Sequence, residues 1–170
     1  MQCTPMKTKI GMLSCFFMAV QLLTLTGCGG SKEIISEERW QHMENTVKDQ
    51  KFTFVGNRIE TYGSVQENLT DNPGYLKMDG DQVTISLRYF GSVEMVNTLR
   101  ESGGIRLEGT ASNIRGDRND QDGCYDLNFS VEKNKSETLL CHLRIFPNNQ
   151  ARLTLNSDLR SAVLYYGYIN

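Results

Sequence analysis

Beyond residue 50, apolar and polar side chains alternate along most of the chain. Val83, Ile85, Leu87 and Tyr89 interleave with Thr84, Ser86 and Arg88, the pattern of a strand with one buried face. Tyr125, Leu127, Phe129 and Val131 repeat it against Asp126, Asn128 and Ser130. Leu139, Cys141, Leu143 and Ile145 answer them across the polar stretch Glu132–Glu137. Shorter pieces of the same period lie at Lys51–Val55, Tyr75–Met78, Ile105–Leu107 (after the Gly103-Gly104 break) and Leu153–Leu155. Ala162–Ile169 is apolar and aromatic on both faces, which predicts a strand covered on both sides. Asp79-Gly80-Asp81 and the turn-rich Glu67–Gly74 punctuate these runs.

One segment has a different period. Ile35, Trp40, Met43 and Val47 share a stripe at helical spacing, Ser36 is placed to cap it, and Glu37 and Glu38 favour its positive end. The pattern predicts one amphipathic helix over residues 34–49, with Trp40 packed on a sheet. The fold class that follows is all-β: an antiparallel meander of about eight strands forming a barrel or sandwich, preceded by that helix.

The first 27 residues do not belong to this pattern. Lys7 and Lys9 precede an apolar run broken by Gly11, Ser14 and Gln21. The run is shorter than the roughly 20 apolar residues of a membrane-spanning helix and is built as a secretory signal peptide. It ends in Leu25-Thr26-Gly27-Cys28, which resembles a bacterial lipobox: aliphatic, small, Gly or Ala, then Cys. In proteins bearing that motif the thiol is alkylated with a diacylglyceryl group, the chain is cut before the cysteine, and a further acyl chain such as palmitate is added. Two or more acyl chains make a stable anchor. The expected organisation is therefore 1–27 signal peptide, 28–33 lipidated Cys28 and a Gly-Ser tether, and 34–170 one β-rich domain. The expected location is the cell envelope, at the outer membrane, since no Asp follows Cys28.

Composition narrows the partners. The chain has 18 basic and 20 acidic residues, and loss of the leader removes Lys7 and Lys9. A mildly acidic chain with interspersed charges has no footprint for nucleic acid. Attachment to a membrane rests on the lipid at Cys28. Two further cysteines, Cys124 and Cys141, invite a disulfide, but the hairpin argues against one. Its apolar faces match only when odd residues oppose odd, with Leu127 near Cys141 or Leu143. Cys124 and Cys141 then point to opposite faces, and a disulfide needs Cβ atoms within about 4.5 Å. Two free thiols are expected, Cys141 in the core and Cys124 at a strand end.

Catalytic chemistry finds little support. His42 lies on the polar side of the helix and His142 on a strand, with no metal-ligand spacing to another His or Cys. No Gly-x-Ser-x-Gly elbow is present. Asp117–Gly123 fails as an EF-hand loop: with Gly123 at the glycine position, Arg118 and Phe129 fall where acids are needed. A solvated acidic turn explains it, and explains the tripeptide Arg115-Gly116-Asp117. No metal and no cofactor is expected, and no catalytic residue is assigned. Of the aromatic residues, Tyr89, Phe129 and Tyr165 are candidates to line a ligand cavity inside a small barrel.

Four features together resemble the domain-of-unknown-function 4251 (DUF4251) family of lipoproteins from Bacteroides-like bacteria. They are the lipobox, the early Phe52-Thr-Phe54 strand, Leu87-Arg-Tyr-Phe-Gly91, and Asn156-Ser-Asp-Leu-Arg160 with Tyr165-Tyr-Gly-Tyr-Ile169. The family often has Pro where this chain has Arg88. The resemblance runs from the helix to the end of the chain. It implies an all-β envelope lipoprotein and transfers no catalytic residue. The functional expectation is a non-enzymatic binding or structural module with an envelope protein or glycan as partner. The alternative is a carrier of a small apolar ligand in the barrel interior.

Overall fold

The computed structural model describes residues 35–61, 66–89, 104–133 and 137–170. The signal peptide, Cys28 and its tether, Phe90 and Gly103 lie outside these residues. The helix, α1, spans Glu37–Lys48. Ser36 caps it by accepting a hydrogen bond from the Arg39 N–H, Glu37 and Glu38 occupy the first turn, and Lys48 the last. Its buried face is the expected stripe, Trp40, Met43 and Val47, with Ile35 packed partly against the core.

Nine strands follow: β1 (Lys51–Thr61), β2 (Gln66–Asn68), β3 (Gly74–Asp79), β4 (Gln82–Arg88), β5 (Gly104–Asn119), β6 (Cys124–Lys133), β7 (Glu137–Ile145), β8 (Gln150–Asn156) and β9 (Val163–Ile169). Eight of them form a closed antiparallel barrel. Neighbours pair in chain order from β3 to β9, and β9 returns to pair with β1, from Phe54↔Ile169 to Thr61↔Val163. The short β2 continues the β3 edge of β1, pairing at Arg58, Ile59 and Glu60. Closure leaves the barrel without long unpaired edges. The barrel therefore replaces the barrel-or-sandwich alternative.

Helix α1 packs against β1, β5 and β6 at the end of the barrel where β1 begins and the β3–β4 and β5–β6 turns lie. Arg118 lies over the Trp40 ring at 4.1 Å, and its guanidinium is 3.2 Å from Glu37, so the helix start is held to β5. At the β3–β4 turn Gly80 takes a φ of 63°, which costs a glycine nothing.

Closure depends on one row of glycines. Gly56 pairs with Gly74 on β3 and with Gly167 on β9, next to a register shift between Gly56 and Arg58. A Cβ on Gly167 would lie 1.9 Å from the Val55 carbonyl oxygen. The absence of a side chain there lets β9 approach β1.

The β6–β7 hairpin has the expected parity, with Leu127 opposite Leu143 and Phe129 opposite Cys141. Cys124 opens β6, and both it and Cys141 are free, buried thiols. Two expectations need correction. The outer face of β9 is only partly covered: Leu164 and Tyr166 are half-buried, Tyr166 beneath the Arg58 guanidinium, and Tyr168 is 40% exposed. Arg115-Gly116-Asp117 is not a turn but part of the long β5. The turn begins at Asp120, and its acids are engaged, Asp120 with Arg118 and Asp122 with Arg144.

Candidate functional site

A bulge in β5 shapes the outer wall. Up to Ala111 the odd residues of this strand, Ile105, Leu107 and Ala111, face the core. Between Ser112 and Arg115 the register against β6 shifts, and Asn113 adopts a φ of 55°. The bulge is held by side chains: the Ser112 and Ser130 hydroxyls are 2.9 Å apart, and the Asn113 amide donates to the Ser130 hydroxyl at 3.2 Å. Beyond it the parity inverts. Ile114 packs partly against the core and Gly116 faces Val47 and Tyr125, so Arg115 is turned outward. Re-aiming a side chain in this way is a common use of a bulge.

The ladder then aligns outward residues in rows. Arg115 pairs with Asn128, Asn128 with His142, and His142 with Thr154. The neighbouring row is Ser112, Ser130, Leu140 and Asn156. The small Asn128 and Ser130 lie between the arms of Arg115 on one side and Leu140 and His142 on the other. A groove of about 380 Å³ results, open to solvent, and Leu140 in it is 53% exposed.

A half-buried carboxylate supports His142 from the next row. Asp126 Oδ1 lies 3.0 Å from His142 Nε2, and Oδ2 accepts from the Asn119 amide at 2.9 Å. Arg144 Nε is 3.1 Å from the same Oδ1 without hydrogen-bond geometry, an ion pair only, and its Nη1 reaches Asp122 at 3.2 Å. Burial raises the Asp126 carboxyl, but the hydrogen bonds from Asn119 and His142 and the charge of Arg144 outweigh it, leaving the pKa below its ordinary value. The carboxylate is thus ionised, and it fixes the imidazole from behind.

Among the described residues no hydroxyl or thiol is hydrogen-bonded to the His142 ring to complete a triad. The Cys124 thiol lies 3.9 Å from Asp126 Oδ1 but is fully buried, and burial and the nearby carboxylate push its pKa up to about 11. Burial pushes Cys141 up to about 12. Neither is a thiolate near neutral pH. Among the described residues no group of three or more His, Cys, Asp or Glu side chains is gathered as a metal would need. His42 is exposed on α1 beside the Thr46 hydroxyl and the shallow cleft between α1 and Asn149.

The cavity-lining candidates lie in the core. Tyr165 is fully buried, Tyr89 is 7% exposed, and Phe129 is 4% exposed where β6 meets Cys141 of β7. Tyr89 and Tyr165 meet at the barrel mouth opposite α1. The Tyr165 hydroxyl donates to the Arg88 carbonyl at 2.7 Å and the Tyr89 hydroxyl to that of Ser161 at 3.2 Å. Beside them Arg160 Nε lies 2.7 Å from Glu137 Oε1, which also accepts from Ser157 at 2.9 Å, and the guanidinium stands 5.3 Å from the Tyr89 ring. Leu87–Tyr89, Ser157–Arg160 and Tyr165, far apart in sequence, thus form one clamp at this mouth.

A family model described as Domain of unknown function (DUF4251) matches residues 35–169, from the start of α1's approach to the last residue of β9. The chain belongs to the DUF4251 family. A DUF4251 family protein from Bacteroides eggerthii DSM 20697, known from a crystal structure, is similar with a TM-score of 0.60 at 17% identity. The match covers 78% of this chain and 87% of that one, and it shows the shared fold. Among curated proteins none matches.

Arg115 and His142 were not read from the sequence as site residues. The odd–even parity of the β6–β7 hairpin already turned His142 outward. Nothing in Ala111–Asn113 announces the bulge that exposes Arg115.

Proposed function

We propose that this DUF4251 protein is a cell-envelope lipoprotein, anchored through acylated Cys28, whose barrel is a non-enzymatic binding module. One observation carries the reading: Leu25-Thr26-Gly27-Cys28 directly follows a basic and then an apolar segment and precedes a Gly-Gly-Ser tether. The order is that of a lipidated leader, and two or more acyl chains hold the passenger at a bilayer. An eight-stranded barrel is just wide enough to be filled by its own side chains, and here Phe54, Leu76, Leu127, Leu153 and Tyr165 are buried in its core. The binding surface is therefore the outer groove of β5–β8, where fixed polar groups surround an exposed Leu140. The buried thiols of Cys124 and Cys141 and, among the described residues, an Asp126–His142 pair with no hydroxyl or thiol on the imidazole fit recognition rather than turnover.

The test is Cys28→Ala expressed in a bacterium with a lipoprotein pathway, followed by detergent phase partition. The parent protein enters the detergent phase and the variant the aqueous phase or the uncleaved precursor pool. Equal partition of a processed Cys28→Ala protein overturns the anchor.

A further inference from the structure

The groove has a specific charge character. Its lining contains no carboxylate, and it contains one guanidinium, Arg115, which makes no hydrogen bond or ion pair among the described residues. In the next outward row, Asp117–Asp126–Arg144–Arg152, Arg144 is held by Asp122 and Asp126, while the exposed Asp117, two residues from Arg115, lies outside the groove lining. Asn128, Asn156 and Thr154 offer both donors and acceptors, as hydroxyl groups of a ligand require. Leu140 supplies an apolar surface beside them. His142, braced by Asp126, stands in the same row as Arg115.

We propose that the groove is a binding site for an acidic glycan, a saccharide chain carrying a carboxylate. This rests on the reading of the outer groove as the binding surface. The carboxylate pairs with Arg115, for which a bidentate fork is the matching geometry. The sugar hydroxyls exchange hydrogen bonds with Asn128, Thr154 and Asn156, and a C–H face lies on Leu140. From Arg115 to Thr154 the row crosses three strand spacings, about 14 Å, so the chain runs across the strands. The volume, about 380 Å³, lies at the lower end of ordinary ligand pockets. The bulge at Asn113 follows as a device that exposes the guanidinium.

The test is calorimetric titration of the full-length protein, purified from membranes in detergent, with trigalacturonate, neutral galactotriose and hexaglutamate. Trigalacturonate binds most tightly, and Arg115→Gln weakens it about 10- to 100-fold, the worth of a charged hydrogen bond. Arg115 is exposed and unpartnered, so the variant keeps the parent circular dichroism and melting temperature. Asp126→Asn, which frees the His142 ring, weakens binding less. The proposal is overturned if Arg115→Gln binds as well as the parent, or if galactotriose matches trigalacturonate. Preference for hexaglutamate overturns the glycan while leaving the groove a binding surface for an acidic peptide. Absence of binding by all three probes, in protein whose Cys28 anchor is intact, overturns the groove and leaves the lipoprotein reading standing.

Discussion

Arg160→Ala removes one partner of the ion pair at the barrel mouth. The Glu137 side chain is 6% exposed and that of Arg160 15%, with Nε to Oε1 at 2.7 Å. Across a charge separation near 4 Å and an effective dielectric of 20, the attraction is about 4 kcal/mol. Most of that is offset by desolvation of the two ions, so the pair adds little net stability. Breaking it is another matter. The carboxylate remains buried with only the Ser157 hydroxyl on it, and breaking a fully buried pair costs about 3–5 kcal/mol. The partial exposure of Arg160 lowers this to about 2–4 kcal/mol, which for a domain of this length is a fall of about 10 °C in melting temperature. Glu137→Ala costs less, because the stranded guanidinium is the more exposed partner and keeps the Tyr89 ring at 5.3 Å. The double variant Glu137→Leu, Arg160→Met, with neither ion left to desolvate, recovers most of the loss. Thermal and urea unfolding followed by circular dichroism measure all three. If Arg160→Ala melts within about 2 °C of the parent, or if the double variant loses as much as the two singles together, the clamp is not a buried pair in the sense used here.

Two further variants probe other parts of the barrel. Gly167→Ala puts a Cβ 1.9 Å from the Val55 carbonyl oxygen, backbone that cannot move without parting β1 from β9; the soluble yield collapses, and a variant that folds with parent stability contradicts the closure geometry. Asp126 has a folded pKa below its unfolded value near 3.8, so its stabilisation is complete above that value and is lost as the pH falls through the lower folded pKa. Asp126→Asn therefore loses stability at neutral pH and shows a shallower acid limb below pH 4 than the parent, read from urea midpoints across pH.

The parts of the fold that were legible rest on side-chain period. Val83–Tyr89 and the Leu127/Leu143 hairpin alternate because one face is buried, and a one-residue slip would turn every apolar side chain to solvent. Parity also kept Cys124 and Cys141 apart, and Ser36 with the Trp40 stripe marked α1 within a few residues. The bulges were hidden, because Gly56-Asn57-Arg58 and Ser112-Asn113-Ile114 carry no composition that separates a bulge from a continuous strand. Arg115-Gly116-Asp117 read as a turn because Gly-Asp is turn composition; Gly116 is there because Val47 and Tyr125 press on that point of β5. Tyr165-Tyr166-Gly167-Tyr168 read as buried on both faces, yet Arg58 stacks on Tyr166 at 4.0 Å and Tyr168 meets solvent. The groove draws on β5, β6, β7 and β8, so its residues meet only once the ladder is in register.

The central claim is a thioether at position 28 with a recognition barrel behind it. Intact mass spectrometry of the protein extracted from its native membrane tests it most directly. The account predicts a polypeptide that starts at Cys28 and carries a diacylglyceryl group. A mature chain with a different first residue, or one starting at Cys28 without acyl mass, contradicts it.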